Sequence, residues 1–197
     1  MKKSIALIIC ITIISTILAA CGSKDKGSIP ESPFAGRDTV DLSAYTSMSD
    51  YGGESRFADT TVAEIDKLMS DGESFIFFAS YEDCPYCNLM IPYLNDALAE
   101  AGTYAGYLDT RRDPGWMNNA DIDDYDLFVK RFGRYLENDS SGNPHLYTPD
   151  FYVIKNGKVK AHHQGVLESA DDPDQPLSSS QEEELRELLE EMIDVLK

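Results

Sequence analysis

Apolar positions along the chain alternate between helical spacing and short continuous runs. Thr61-Val62-Ala63-Glu64 has capping-box spacing, and Ile65, Leu68 and Met69 then mark one face of a helix that Asp71-Gly72 ends. Phe75–Ala79 is unbroken apolar sequence rich in aromatics, the pattern of a central strand buried on both faces. From Cys84 to about Ala101 helical spacing returns through Leu89, Met90, Tyr93, Leu94, Ala97 and Leu98. Tyr104–Leu108 is a second strand, and a short strand is predicted near Arg56–Ala58. Ile122, Tyr125, Phe128, Phe132 and Tyr135 predict a helix over about 121–137, followed by a loop from Asn138 to Pro144. Phe151–Ile154 and Lys158–His162 flank Asn156-Gly157, a strong two-residue hairpin signal. Ser180 with Glu183 opens a last helix whose apolar face is Leu185, Leu188, Leu189, Met192, Ile193 and Leu196. Asp41 to Gly53 takes no element. The order is α/β, with a mixed central sheet and helices on both faces.

The N-terminus changes the picture of location. Lys2 and Lys3 precede an apolar run from Ile5 to Leu18, which ends in Leu18-Ala19-Ala20-Cys21. Charge, length and small residues describe a secretory signal over 1–20, too short for a spanning helix. Leu-Ala-Ala-Cys also resembles a bacterial lipoprotein lipobox. That resemblance implies that Cys21 is lipidated and becomes the mature N-terminus, held at the extracytoplasmic face of a cell membrane. Gly22 to about Asp38 is rich in Gly, Ser, Pro and charge, so 21–54 reads as a flexible tether and 55–197 as the domain. Residues of about 111–147 form an insert, in which Arg111, Arg112 and Trp116 read as core or salt-bridged residues ahead of a client surface.

Charge excludes some partners. The formal net charge is −18, and losing Lys2 and Lys3 with the signal makes it more negative. Nucleic acid is not a partner for such a chain, and the acidity describes a solvated exterior.

Four cysteines are encoded. Cys10 leaves with the signal and Cys21 is blocked by lipid, so Cys84 and Cys87 remain, in Cys84-Pro85-Tyr86-Cys87 after the predicted central strand. A structural zinc site needs four ligands. No second cysteine pair exists, and His162 and His163 point to opposite faces of a strand, so with His145 they read as surface or hairpin residues. As a staple the pair closes too small a loop to stabilise much. A reactive dithiol fits better. A thiolate is stabilised at a helix N-terminus by unpaired N–H groups and the dipole, and Pro85 at the first helical position costs no hydrogen bond. Cys84 is therefore the nucleophile and Cys87, one turn on, the resolving thiol. Neither metal nor organic cofactor is expected.

Two stretches resemble the thioredoxin superfamily: Cys84-Pro85-Tyr86-Cys87-Asn88-Leu89-Met90-Ile91-Pro92, with its proline five residues after the second cysteine, and Thr148-Pro149-Asp150-Phe151-Tyr152-Val153-Ile154-Lys155-Asn156-Gly157-Lys158-Val159. The resemblance implies a thioredoxin-like fold over roughly 56–197, with an inserted helical segment before the cis-proline strand. It implies a cis Thr148–Pro149 bond beside the disulfide, with the Thr148 backbone pairing an extended client. Pro85 and Tyr86 would complete the client contact, Tyr86 with an exposed ring. The whole chain is similar to Gram-positive lipoproteins related to the bacteriocin transport accessory group. Departures are specific. Phe78 stands where thioredoxins bury an aspartate. Glu82 could substitute, though its position favours a solvated carboxylate. Asp83 replaces the tryptophan before the motif and opposes the helix dipole at Cys84. Thr148 before Pro149 makes glutathione dependence doubtful.

The expected activity is thiol–disulfide exchange with exported proteins or peptides, coupled to an integral-membrane redox partner. Its direction stays open. The alternative is a thioredoxin-fold accessory lipoprotein that escorts an exported peptide without turnover.

Overall fold

The computed structural model describes residues 27–111 and 122–197. Phe57–Asp59 forms β1, Val62–Ser70 α1, Phe75–Ser80 β2, Pro85–Glu100 α2 and Ala105–Asp109 β3. There follow α3 (Ile122–Phe132), β4 (Glu137–Asn138), β5 (Pro144–His145), β6 (Asp150–Lys155), β7 (Lys158–Gln164) and α4 (Ser179–Asp194). The main sheet runs β1-β3-β2-β6-β7. Both β1 and β2 are parallel to β3, whereas β6 is antiparallel to β2 and to β7. Helical crossovers link the parallel strands, and the β6–β7 hairpin closes one edge. This is the mixed sheet flanked by helices of a thioredoxin-like fold.

Alternation along β2 separates the two cores. Ile76 and Phe78 pack with α2 and α4 residues such as Met90, Leu94, Leu185 and Leu189. Phe75 and Phe77 pack on the opposite face with Ile65 of α1 and Phe128 and Phe132 of α3. All six β2 positions are buried, as a strand covered on both sides requires. The aromatic spacing of α3 is core: Phe77 stacks on Tyr152 with centroids 4.6 Å apart, and Phe132 lies 4.9 Å from Tyr152.

Several boundaries differ from the sequence expectation. Residues 27–54 are not a tether. Phe34, Leu42, Tyr45 and Met48 are buried, and the Val40 amide donates to the Phe57 carbonyl at 2.8 Å. The Gly/Ser/Pro-rich composition hid large side chains that follow no periodic spacing. Phe34 seats where β3 carries Gly106; a Cβ there would meet its ring at 2.6 Å. Thr46–Met48 is a 3-10 turn. The helix expected to about 137 ends at Phe132 and continues as a 3-10 turn, Gly133–Tyr135. The expected loop of 138–144 is closed by β4–β5 pairing, with the Asp139 carboxylate accepting from the Ser141 and Asn143 amides at 2.8 and 2.9 Å.

The last helix starts earlier than expected. Ser178 and Gln181 form the reciprocal cap, and Ser180 is already inside α4. At α1, Thr61 accepts from the Glu64 amide, but the Glu64 carboxylate turns to Arg37 and Thr60. The hairpin turn behaves as predicted, with Asn156 at φ 53 and Gly157 at φ 69. Gly157 is obligatory, since a Cβ would come within 2.2 Å of the Met69 carbonyl oxygen. No helix among the described residues is long and apolar enough to cross a membrane. The signal peptide of 1–20, Cys21, Arg112 and Trp116 lie outside the described residues.

Candidate active site

β2 ends at Ser80, and Tyr81-Glu82-Asp83 leads into α2. Cys84 is the N-cap of α2 and Pro85 its first residue, where a missing amide hydrogen has no consequence. The chain turns so that Cys84 and Cys87 form a disulfide, with Cα atoms 5.1 Å apart. The Cys87 amide donates to Cys84 Sγ at 3.1 Å. When the bond is reduced, that donor and the helix terminus favour a thiolate on Cys84.

The Thr148–Pro149 peptide is cis. It brings Thr148 against the disulfide from 64 residues away: Thr148 Oγ1 donates to Cys84 Sγ at 3.6 Å, and its carbonyl oxygen lies 3.7 Å from the same sulfur. Cys84, Cys87, Thr148 and Pro149 are therefore one constellation. Pro85 is exposed at its rim. Tyr86 departs from expectation. Its ring is half-buried and its hydroxyl donates to the Asp171 carbonyl at 2.8 Å, which ties the segment after β7 to the start of α2. Cys84 departs too. An attacking thiolate must be reachable, and the residue is only 1% exposed in the disulfide state.

The charges near Cys84 now have positions. Asp83 accepts from Arg111 at 3.3 Å, and the Arg111 guanidinium lies 3.6 Å from the centroid of the Tyr81 ring. The Asp83 side chain is 87% exposed, so water and Arg111 screen its effect on Cys84. The Cys87 amide, by contrast, contacts the sulfur directly. Glu82 is exposed, the solvated carboxylate expected. Glu82 and Asp83 help line an open cleft of ≈ 570 Å³ that runs past Pro85 towards Pro173–Pro176.

Phe78 is fully buried in the same core cluster as Cys87, where the family pattern has an acid. Three hydroxyls meet on this side of the sheet. Tyr45 Oη lies 2.7 Å from Ser80 Oγ and 2.6 Å from Tyr107 Oη. Burial pushes the Tyr45 phenol up to about 12, and pushes Tyr107 up further. Tyr45 lies in the stretch that took no element, which is why sequence reasoning missed it.

Asp150 was missed as well. It is the one fully buried carboxylate among the described residues. Burial raises its pKa, against the lowering effects of His162, Tyr152 and His163. His162, expected at the surface, pairs with it at 2.6 Å. An aspartate opening an apolar strand directly after a proline was the available signal, since Asp is depleted in strands. His163 does face the other way, with Nε2 2.7 Å from the Val166 carbonyl. The His145 ring lies tilted against Tyr147, with centroids 4.5 Å apart. Among the described residues no three His, Cys, Asp or Glu side chains group as metal ligands.

No family model matches the chain, and no curated protein matches it. Solved thioredoxins are similar in structure. One from Plasmodium falciparum is 18% identical, covers 69% of this chain and 97% of its own, and gives a TM-score of 0.39. A variant thioredoxin from Halobacterium salinarum NRC-1 is 13% identical, over 72% of this chain and 96% of its own, at 0.38. An Arabidopsis thaliana thioredoxin in the oxidized state is 18% identical, over 57% and 85%, at 0.36. These likenesses are distant; the chain's own strand order and helix placement carry the fold.

Proposed function

We propose that this protein is a thiol–disulfide oxidoreductase, tethered by lipid at Cys21 to the outer side of a cell membrane and acting on exported proteins or peptides. The observation that supports it is the Cys84–Cys87 disulfide at the N-terminus of α2 with Thr148 packed on the Cys84 sulfur. The basic start, apolar run and Leu18–Cys21 motif support the tether.

In the reducing direction the Cys84 thiolate attacks a client disulfide. One client sulfur leaves as a thiol, and a mixed disulfide to Cys84 remains. Cys87 loses its proton and attacks Cys84 Sγ, releasing the second client thiol and re-forming Cys84–Cys87. In the oxidising direction a client thiolate attacks Cys84–Cys87 and the same steps reverse. The Thr148 backbone holds the client chain extended beside the sulfur, as an added strand. An integral-membrane partner returns the pair to its working state.

Near-complete burial of both sulfurs favours a second reading, an accessory lipoprotein of the bacteriocin-transport kind that binds an exported peptide without turnover.

Protein beginning after Cys21 tests both. Under the first reading the pair equilibrates with a thiol buffer. A potential of about −270 mV indicates a reductase, and about −120 mV an oxidant that installs disulfides. Cys87→Ala accumulates client mixed disulfides that dithiothreitol releases. A pair that exchanges with no thiol buffer, and a Cys84→Ala, Cys87→Ala variant with full biological function, would establish the second.

A further inference from the structure

Asp150 has no part in the exchange chemistry, yet its position is costly. A carboxylate at 0% exposure is tolerated only when it is paired and hydrogen-bonded. It opens β6, between Ala79 of β2 and Gln164 of β7. One oxygen lies 2.6 Å from His162 Nε2, and the other accepts from the Tyr152 hydroxyl at 2.7 Å. The His162 ring packs on Tyr152 with centroids 4.4 Å apart, and Tyr135 covers it from the insert at 5.5 Å.

This assembly lies on the α1/α3 side of the sheet, away from the sulfurs, because it shares the face of Tyr152. Its link to the active site is the backbone. Asp150 follows Pro149 directly, and the Pro149 carbonyl accepts from the Gly165 amide at 2.8 Å. Beyond the strand pairing itself, the start of β6 is thus tied to the β7 side by a main-chain bond at Gly165, just after β7, and by a side-chain bond at His162. Two residues upstream of Asp150, Thr148 touches Cys84 Sγ. Without His162 the buried carboxylate would draw in water or a proton, and the strand end presenting Thr148 would lose its side-chain tie to β7.

We infer that Asp150 and His162 are positioning residues: a buried carboxylate–imidazole tie, roofed by Tyr135 of the insert, that holds the Thr148–Pro149 segment in place for an extended polypeptide client. The inference rests on the oxidoreductase reading, and it gives the insert a role in client docking.

The test compares steady-state reduction of insulin disulfides with exchange against dithiothreitol, in protein beginning after Cys21. His162→Phe raises KM for insulin about tenfold, equal to about 1.4 kcal/mol, while kcat changes less than about twofold, as for a lost binding contact. The dithiothreitol rate holds within the same margin. His162→Gln, which keeps an N–H donor for the carboxylate, restores most of the KM. If His162→Phe does not fold, Asp150→Asn serves: it replaces charge-assisted bonds with neutral ones about half as strong and raises KM about threefold. Unchanged KM in these variants, or a parallel fall in kcat and dithiothreitol rate, overturns the inference and leaves the oxidoreductase reading intact. Parent protein whose Cys84–Cys87 disulfide exchanges with neither dithiothreitol thiol nor insulin overturns both.

Discussion

Tyr45 shows how one residue can couple a distant segment to the central sheet. Its hydroxyl is bonded to Ser80 and Tyr107, and burial is the main reason its phenol is held up to about 12. The folded protein keeps this proton where the unfolded chain, with a phenol near 10.0, releases it. Stability is therefore intact below pH 10 and falls as pH rises through about 12, by roughly 2–3 kcal/mol from this group. Urea unfolding at pH 8, 10 and 11.5 should show the fall. Tyr45→Phe should flatten it in part, with Tyr107 still contributing in the same direction.

Elements in this chain depend on their ends. α4 supplies Leu185, Leu189 and Ile193 to the core beneath α2, and its N-terminus is held by the Ser178–Gln181 cap. Gln181 also donates to the Ser169 carbonyl at 2.7 Å, so the cap fixes the connection from β7 as well. Ser178→Ala should cost about 1 kcal/mol, read as a lower urea midpoint at unchanged slope. Changing Ser180, the residue that sequence spacing nominated, should leave the midpoint nearly still, since it lies inside the helix and is exposed. Both serines precede a Glu or Gln by three residues, and local pattern alone does not choose between them.

At the scale of the whole molecule, the N-terminal segment is structural. Phe34 fills the face of β3 above Gly106, while Leu42, Tyr45 and Met48 join the α2 side. Phe34→Ala should lose about 3–5 kcal/mol. A chain starting at residue 55 should unfold at markedly lower urea than one starting after Cys21. Equal midpoints for the two would show that the segment only lies on the surface. Ile29 also packs against the α2-side core, so the segment bound to the domain begins well before residue 55.

Local information was sufficient for the parts whose cause is local. Unbroken apolar sequence in Phe75–Ala79 is buried on both faces, the Asn156-Gly157 turn adopts positive φ, and Cys84-Pro85 begins a helix, because composition, turn chemistry and capping act over a few residues. The resemblance of the Thr148–Pro149 stretch placed a cis bond that physical preference in the unfolded chain opposes. Tertiary structure decided what depends on contact between distant segments. It packed Phe34 and Tyr45 into a region whose composition reads as linker. It drew Arg111 to Asp83, pairing the carboxylate next to Cys84. It also placed His162 against Asp150 across a hairpin. Burial and pairing belong to no residue alone; they arise when the sheet closes and removes water from groups that the chain keeps far apart.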